Sequence, residues 1–93
     1  MYMYALMSPI EVAKYRSEMQ TMGVSDVARA PGGFMHTYLK DGERMLNRVI
    51  TPSTGYTWAK KRDAFIKRHL VQYRKQPTPR RRLALIAWAY DPK

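Results

Sequence analysis

The chain has 93 residues, of which 45% are hydrophobic, with a formal net charge of +10 and no cysteine. That length makes one domain, residues 1–93, with a thin core, since so short a chain buries only about 60–65% of its unfolded surface. The composition excludes a disordered chain, a disulfide framework and a thiolate metal site, and it fits a reducing cytoplasm.

The charge is lopsided. Residues 1–55 carry six Lys/Arg and five Asp/Glu, whereas residues 56–93 carry eleven and two. A basic domain with its charge in one half points to a polyanionic partner: nucleic acid, an acidic protein or an acidic surface.

Residues 1–7, MYMYALM, are apolar but lack a basic flank and a cleavage site, so they read as an extended arm that packs, not as a signal peptide. No run approaches the roughly 18 apolar residues of a membrane span.

Ser8, Pro9 and Glu11 form a complete helix start: N-cap, proline at N1 and capping-box partner. Val12, Tyr15, Met19 and Met22 recur at helical spacing, and Gly23 stops the run with Val24 placed to fold back on Met19. One helix over 9–22 is expected. A short helical segment over 26–30 follows, broken by Pro31-Gly32-Gly33. Phe34, Met35, Tyr38 and Leu39 predict two helical turns to Lys40, closed by Asp41-Gly42. Residues 43–50 predict a short helix, with a strand ending in Val49-Ile50 as the alternative, and residues 51–57 (TPSTGYT) a loop whose Thr57 caps the next element.

Residues 58–75 predict the long helix. At 100° per residue Trp58, Ala59, Phe65, Ile66, Leu70 and Tyr73 share one side, while Lys60, Lys61, Asp63, Lys67, Arg68, Arg74 and Lys75 share the other. Arg62 and His69 interrupt the apolar side; they are either structural residues or, functionally, a paired internal network or a proton-handling site. The connection 76–79 ends that helix, and Thr78 with Pro79 starts a last one over 80–90, apolar all round and therefore central to the bundle. Arg80, Arg81 and Arg82 occupy its first turn, where the macrodipole favours anions. Compensation by an internal acid (Asp26, Asp41 or Glu43) and by a bound phosphate are both open.

Two resemblances follow from these stretches. Residues 25–30 (SDVARA) and 38–46 (YLKDGERML) resemble pieces of the DNA-binding domain of TetR-type repressors, but Pro31–Thr37 is too short to hold that family's turn and recognition helix. GVSDVARAPGGF, KRDAFIKRHL and PTPRRRLALIAWAYDP, spread over residues 23–92, resemble small uncharacterised basic helical proteins of tailed-phage type. That resemblance implies a phage or prophage origin and a bacterial cytoplasm, and implies no activity.

The sequence therefore predicts an all-α bundle of four to five helices around the C-terminal one. No hydrolase, transferase or P-loop signature is present, and two histidines without cysteine offer no zinc spacing, so no enzyme, cofactor or metal is expected. The expected role is nucleic-acid binding, DNA ahead of RNA, through phosphate contacts from Lys60, Lys61, Lys67, Arg68, Arg74, Lys75, Arg80, Arg81 and Arg82. Tyr56 is the exposed candidate for base stacking. The alternative is a small regulator or inhibitor that docks its basic face on an acidic protein.

Overall fold

The structure is a computed structural model. It describes residues 2–92; the expected arm's Met1 and the C-terminal Lys93 lie outside the described residues. The chain is mostly helical, with 60% of it in helices and a short two-stranded sheet.

The capping chemistry of the first helix forms as its sequence dictates. The Ser8 hydroxyl accepts the Glu11 N–H at 3.2 Å, and the Ser8 N–H donates to the Glu11 carboxylate at 3.3 Å. The helix, α1, then ends after five residues, Pro9–Ala13, and a second helix, α2, runs over Arg16–Met22. The single helix expected over 9–22 is thus broken at Lys14-Tyr15, where Tyr15 sits at φ −96°, ψ 0°. The break serves two packing partners. Val12 and Met19 are both fully buried, yet they belong to segments that pack on different neighbours. Met22, expected in the same buried stripe, is instead exposed. Gly23 ends α2 in the left-handed region at φ 64°, and the Val24 N–H donates to the Met19 carbonyl at 2.9 Å.

One helical turn, α3 (Asp26–Arg29), leads to the Pro31-Gly32-Gly33 turn and then to α4 (Phe34–Asp41). Gly33 is required there. A Cβ at this position would lie 2.1 Å from the Val27 carbonyl oxygen, so the two backbones could not approach.

After a 3-10 segment, Glu43–Asn47, the chain forms strand β1 (Val49–Thr51), turns, and returns as β2 (Tyr56–Thr57). The strands are antiparallel, with Val49 opposite Thr57 and Thr51 opposite Tyr56 across an irregular register. This hairpin corrects the purely all-α expectation and the loop expected over 51–57. Val49, Ile50 and Thr51 are β-branched, with Ile50 half-buried between two exposed residues, a pattern suited to a pleated surface, and Gly55 supplies the left-handed turn residue at φ 69°. A two-stranded hairpin is marginal alone. Here the Trp58 N–H donates to the Arg48 carbonyl at 3.1 Å and ties the hairpin to the start of the long helix.

That helix, α5, spans Trp58–Lys75 as expected, with the Thr57 hydroxyl accepting the Lys60 N–H at 3.3 Å. The last helix, α6, starts where expected, with Thr78 accepting the Arg81 N–H at 3.1 Å. It spans Pro79–Ile86 and so stops four residues before the expected Tyr90. Ala89 takes a left-handed φ of 61°, which reverses the chain. The carbonyls exposed by that early end are used: Ala89 accepts the Met7 N–H at 2.8 Å, and the arm also stacks Tyr4 edge-on against Tyr90 at 5.5 Å.

α6 does sit at the centre. Leu83, Leu85, Ile86 and Trp88 are buried against Ile66 and Leu70 of α5, Met19 of α2 and Phe34 of α4. A row of rings runs through this core. Tyr38, Phe34, Trp88, Phe65 and His69 stack in succession, with centroid separations of 5.6, 4.7, 4.5 and 3.9 Å. Tyr38 at its inner end donates its hydroxyl to the Met7 carbonyl at 2.5 Å. Burial, reinforced by the charge of Glu43, pushes that phenol up to about 12, so it remains a neutral donor across the physiological range.

Candidate nucleic-acid interface

The six cations expected on the outer side of α5 are all exposed: Lys60, Lys61, Lys67, Arg68, Arg74 and Lys75. Among the described residues none of them forms a salt bridge or a side-chain hydrogen bond. Lys61 lies 5.5 Å above the Trp58 ring, a cation–π contact that leaves its charge intact. The first turn of α5 holds no acid, so Lys60 and Lys61 face the positive end of the helix macrodipole, and Asp63, the one acid on this side, forms no salt bridge with them.

The arrangement has a regularity that the charge count hides. The cations come as adjacent pairs, 60-61, 67-68 and 74-75, repeated every seven residues. Seven residues are nearly two turns, so the pairs recur along one side about every 10.5 Å. The period is present in the sequence, but sorting residues only by side of the helix hides it.

The arginine triplet divides. Arg82 is neutralised: its guanidinium meets Asp91 at 3.1 Å and lies 5.4 Å from the Tyr15 ring. None of the acids considered from the sequence is its partner; Asp26 pairs with Arg29 and Asp41 with Arg48. Arg80 donates to the carbonyls of Met22 at 2.7 Å and Gly23 at 3.3 Å, at the C-terminal end of α2. Arg81 donates to the Gln76 carbonyl at 2.9 Å and the Gln72 carbonyl at 3.3 Å, at the C-terminal end of α5. Three cations at the N-terminus of α6 are therefore tolerated because two of them cap the negative ends of other helices. Carbonyl dipoles orient a guanidinium but do not cancel its charge. Arg80 and Arg81 thus remain positive beside the Arg74–Lys75 end of α5, and Arg82 leaves the patch.

Arg62 is structural. It is 1% exposed and has no acid bonded to it. Its guanidinium donates to four backbone carbonyls: Trp88 at 2.7 Å, Ala89 at 3.0 Å, Ala5 at 3.1 Å and Tyr4 at 3.2 Å. Desolvation lowers its pKa, but arginine stays charged in proteins, and the carbonyl oxygens supply the counter-field. One side chain thereby ties the arm to the turn that ends α6.

His69 is half-buried on Phe65. Burial, followed by the charge of Arg68, holds its imidazole below the ordinary histidine value. The unfolded chain then binds more protons than the folded one in mild acid. Its contribution to stability is complete above about pH 6.5 and is lost as pH falls through that value toward the folded pKa. Thermal melts between pH 7 and 5 should show this loss, and His69→Phe should remove its share of it. An identical pH slope in the variant would contradict the assignment. Asp41, held low by the Arg48 hydrogen bond, acts in a separate window: its contribution is present above about pH 3.8 and lost below.

Tyr56 is half-buried in β2, which corrects the view of it as the exposed stacking residue. No group of three or more His, Cys, Asp or Glu among the described residues could hold a metal ion, and no helix is long and apolar enough to cross a membrane. Comparison with known proteins returns no matching family model, no similar curated protein and no similar solved structure.

Proposed function

We propose that this protein is a non-enzymatic nucleic-acid-binding accessory protein, phage or prophage encoded, that acts in a bacterial cytoplasm and contacts phosphates through the outer face of α5. The observation that carries this reading is the three exposed, unpartnered cation pairs of α5, continued by the still-positive Arg80 and Arg81. Phosphates meeting this face displace condensed counterions, a gain that does not depend on base sequence. Specificity is low, because no side chain of the face presents a base-reading pattern set in a recognition helix.

The test is a mobility shift of duplex DNA in a salt series. Engagement of the six α5 cations gives a log–log salt slope of about −5, and unchanged mobility at about 50 mM salt would remove the proposal. A second reading has its own observation. Val71 is 52% exposed between the 67-68 and 74-75 pairs, a small apolar contact flanked by cations at heptad spacing. An acidic helix of a partner protein would fit that face. A pull-down that keeps its partner after nuclease treatment would favour this docking role.

A further inference from the structure

Beside the cationic face lies an open groove of about 450 Å³, within the roughly 300–1,000 Å³ of small-ligand sites. Phe65, His69 and Trp88 are among its lining residues, and these rings are already stacked on one another within 20° of parallel. Val24, Ala28 and Ala84 add apolar wall. Arg80 and Arg81 complete the lining with charge. Each guanidinium is held by the carbonyls of a helix end and still has N–H groups to give, so both are oriented before any ligand arrives. Phe65 and Trp88 are each covered on both faces by neighbouring rings, so they offer their edges, and a planar ring set against those edges with an anion at the arginines is the ligand shape that this lining complements.

We infer that the groove between α5, α6 and the α2–α3 junction binds one nucleotide unit, its base against the Phe65, His69 and Trp88 rings and its phosphate on Arg80 and Arg81. The inference deepens the nucleic-acid reading and rests on it for the source of the nucleotide, an unstacked position of a single strand. The chain layout makes the two sites continuous. On α5, Lys61, Arg68 and Lys75 form the row nearest the groove-lining Phe65 and His69, while Lys60, Lys67 and Arg74 form the row farther round the helix. A strand whose backbone follows the near row delivers a base to the groove. A duplex cannot do so without unpairing, so the protein prefers single strands.

Two arms test this with the full chain. In the first, adenosine 5′-monophosphate, adenosine and inorganic phosphate are titrated while the side-chain resonances of His69 and Trp88 are followed by NMR. The monophosphate shifts both, adenosine does so at least about tenfold more weakly for want of a charge-assisted contact, and phosphate alone leaves Trp88 unmoved. In the second, a short single-stranded oligonucleotide and its duplex compete at one salt concentration. The single strand binds about tenfold more tightly, as one base packed edge-to-face against the rings provides. Two variants should bring it down to the duplex affinity. Ala84→Phe fills the groove. Val27→Asp places a carboxylate at a lip residue that is 84% exposed, where folding is not at stake.

The outcomes separate the claims. If the monophosphate leaves His69 and Trp88 unmoved, or if Val27→Asp folds and keeps the single-strand preference, the groove inference is overturned, while a salt-dependent duplex shift would leave the α5 reading standing. If the monophosphate binds but no strand of either kind does, a free nucleotide replaces the strand as occupant and the α5 reading fails. The triple variant Lys60→Glu, Lys67→Glu, Arg74→Glu, altered only in the far row, should lose strand binding and retain the monophosphate response.

Discussion

Replacing Arg62 with Met should destabilise the fold by about 3–5 kcal/mol, the largest loss expected from any single substitution in this chain. The reason lies in what remains. Met fills much of the volume, but the carbonyls of Tyr4, Ala5 and Trp88 would lose their shared donor, and Ala89 would keep only the Met7 N–H. A buried acceptor without a partner costs about 1–3 kcal/mol, and water entering to serve the buried Trp88 carbonyl would have to open the core. For a domain of this size, with about 5–15 kcal/mol in total, that loss lowers the melting temperature by more than about 12 °C. Arg62→Lys should rescue little of it. An ammonium has three donors on a point centre, whereas the cage is spanned by a planar fork reaching chain segments at opposite ends of the sequence. Arg68→Met, at an exposed position on the same helix, is the control and should stay within about 0.5 kcal/mol of the parent. An Arg62→Met protein that melts with the parent would show that the carbonyls are solvated and that the cage does not hold the arm.

The same residue marks the boundary of what sequence reasoning can reach. Where a structural decision is made by neighbours in the chain, it is legible. Ser8 with Glu11, Gly23, and Thr57 and Thr78 as caps all place element ends where local hydrogen-bonding chemistry demands, and α5 spans 58–75 as its pattern predicts. The alternation of apolar and charged residues likewise identifies which side of α5 is exposed. Where the decision is made by distant chain, the pattern is silent. Arg62 stands out as an oddity on an apolar face, but its four acceptors are backbone carbonyls, which carry no residue signature. Those carbonyls also explain why α6 stops at Ile86: the turn that follows is held by Arg62 and Met7, neither of them near it in sequence. The break at Lys14-Tyr15 and the hairpin of β1 and β2 are of the same kind, set by which neighbour each short segment packs on. The candidate site divides along this line too. The α5 cations were readable one by one. The groove was not, because Val24, Phe65, Ala84 and Trp88 meet only in the folded chain.

Reversing charge at Lys67, Arg68 and Arg74 is the second experiment with a large expected effect, and it bears on function rather than stability. Each Lys or Arg to Glu change lowers the charge by two, so the triple variant falls from +10 to +4. It also converts the middle pair and half of the last pair from counterion-displacing groups into groups that repel phosphate. A strand following the face would keep Lys60 and Lys61 at one end and Lys75 at the other, about 21 Å apart along the axis, with repulsion between them. Duplex binding at about 50 mM salt should be lost, and whatever residual binding remains should show a salt slope about three units shallower, one for each cation removed. The fold should survive, because all three side chains are exposed and unpartnered among the described residues, and because new acids relieve like-charge repulsion along α5. The reversal of Arg74 works slightly the other way, since it sits in the last turn where the macrodipole favours cations. A matched reversal at Lys14, Arg16 and Lys40, exposed cations of the N-terminal half, separates net charge from position. It lowers the charge by the same six and should leave most of the shift intact. If both triple variants bind equally weakly, attraction is a property of overall charge and the face of α5 has no special part in it. If only the α5 variant fails, the seven-residue display of cation pairs is the binding surface.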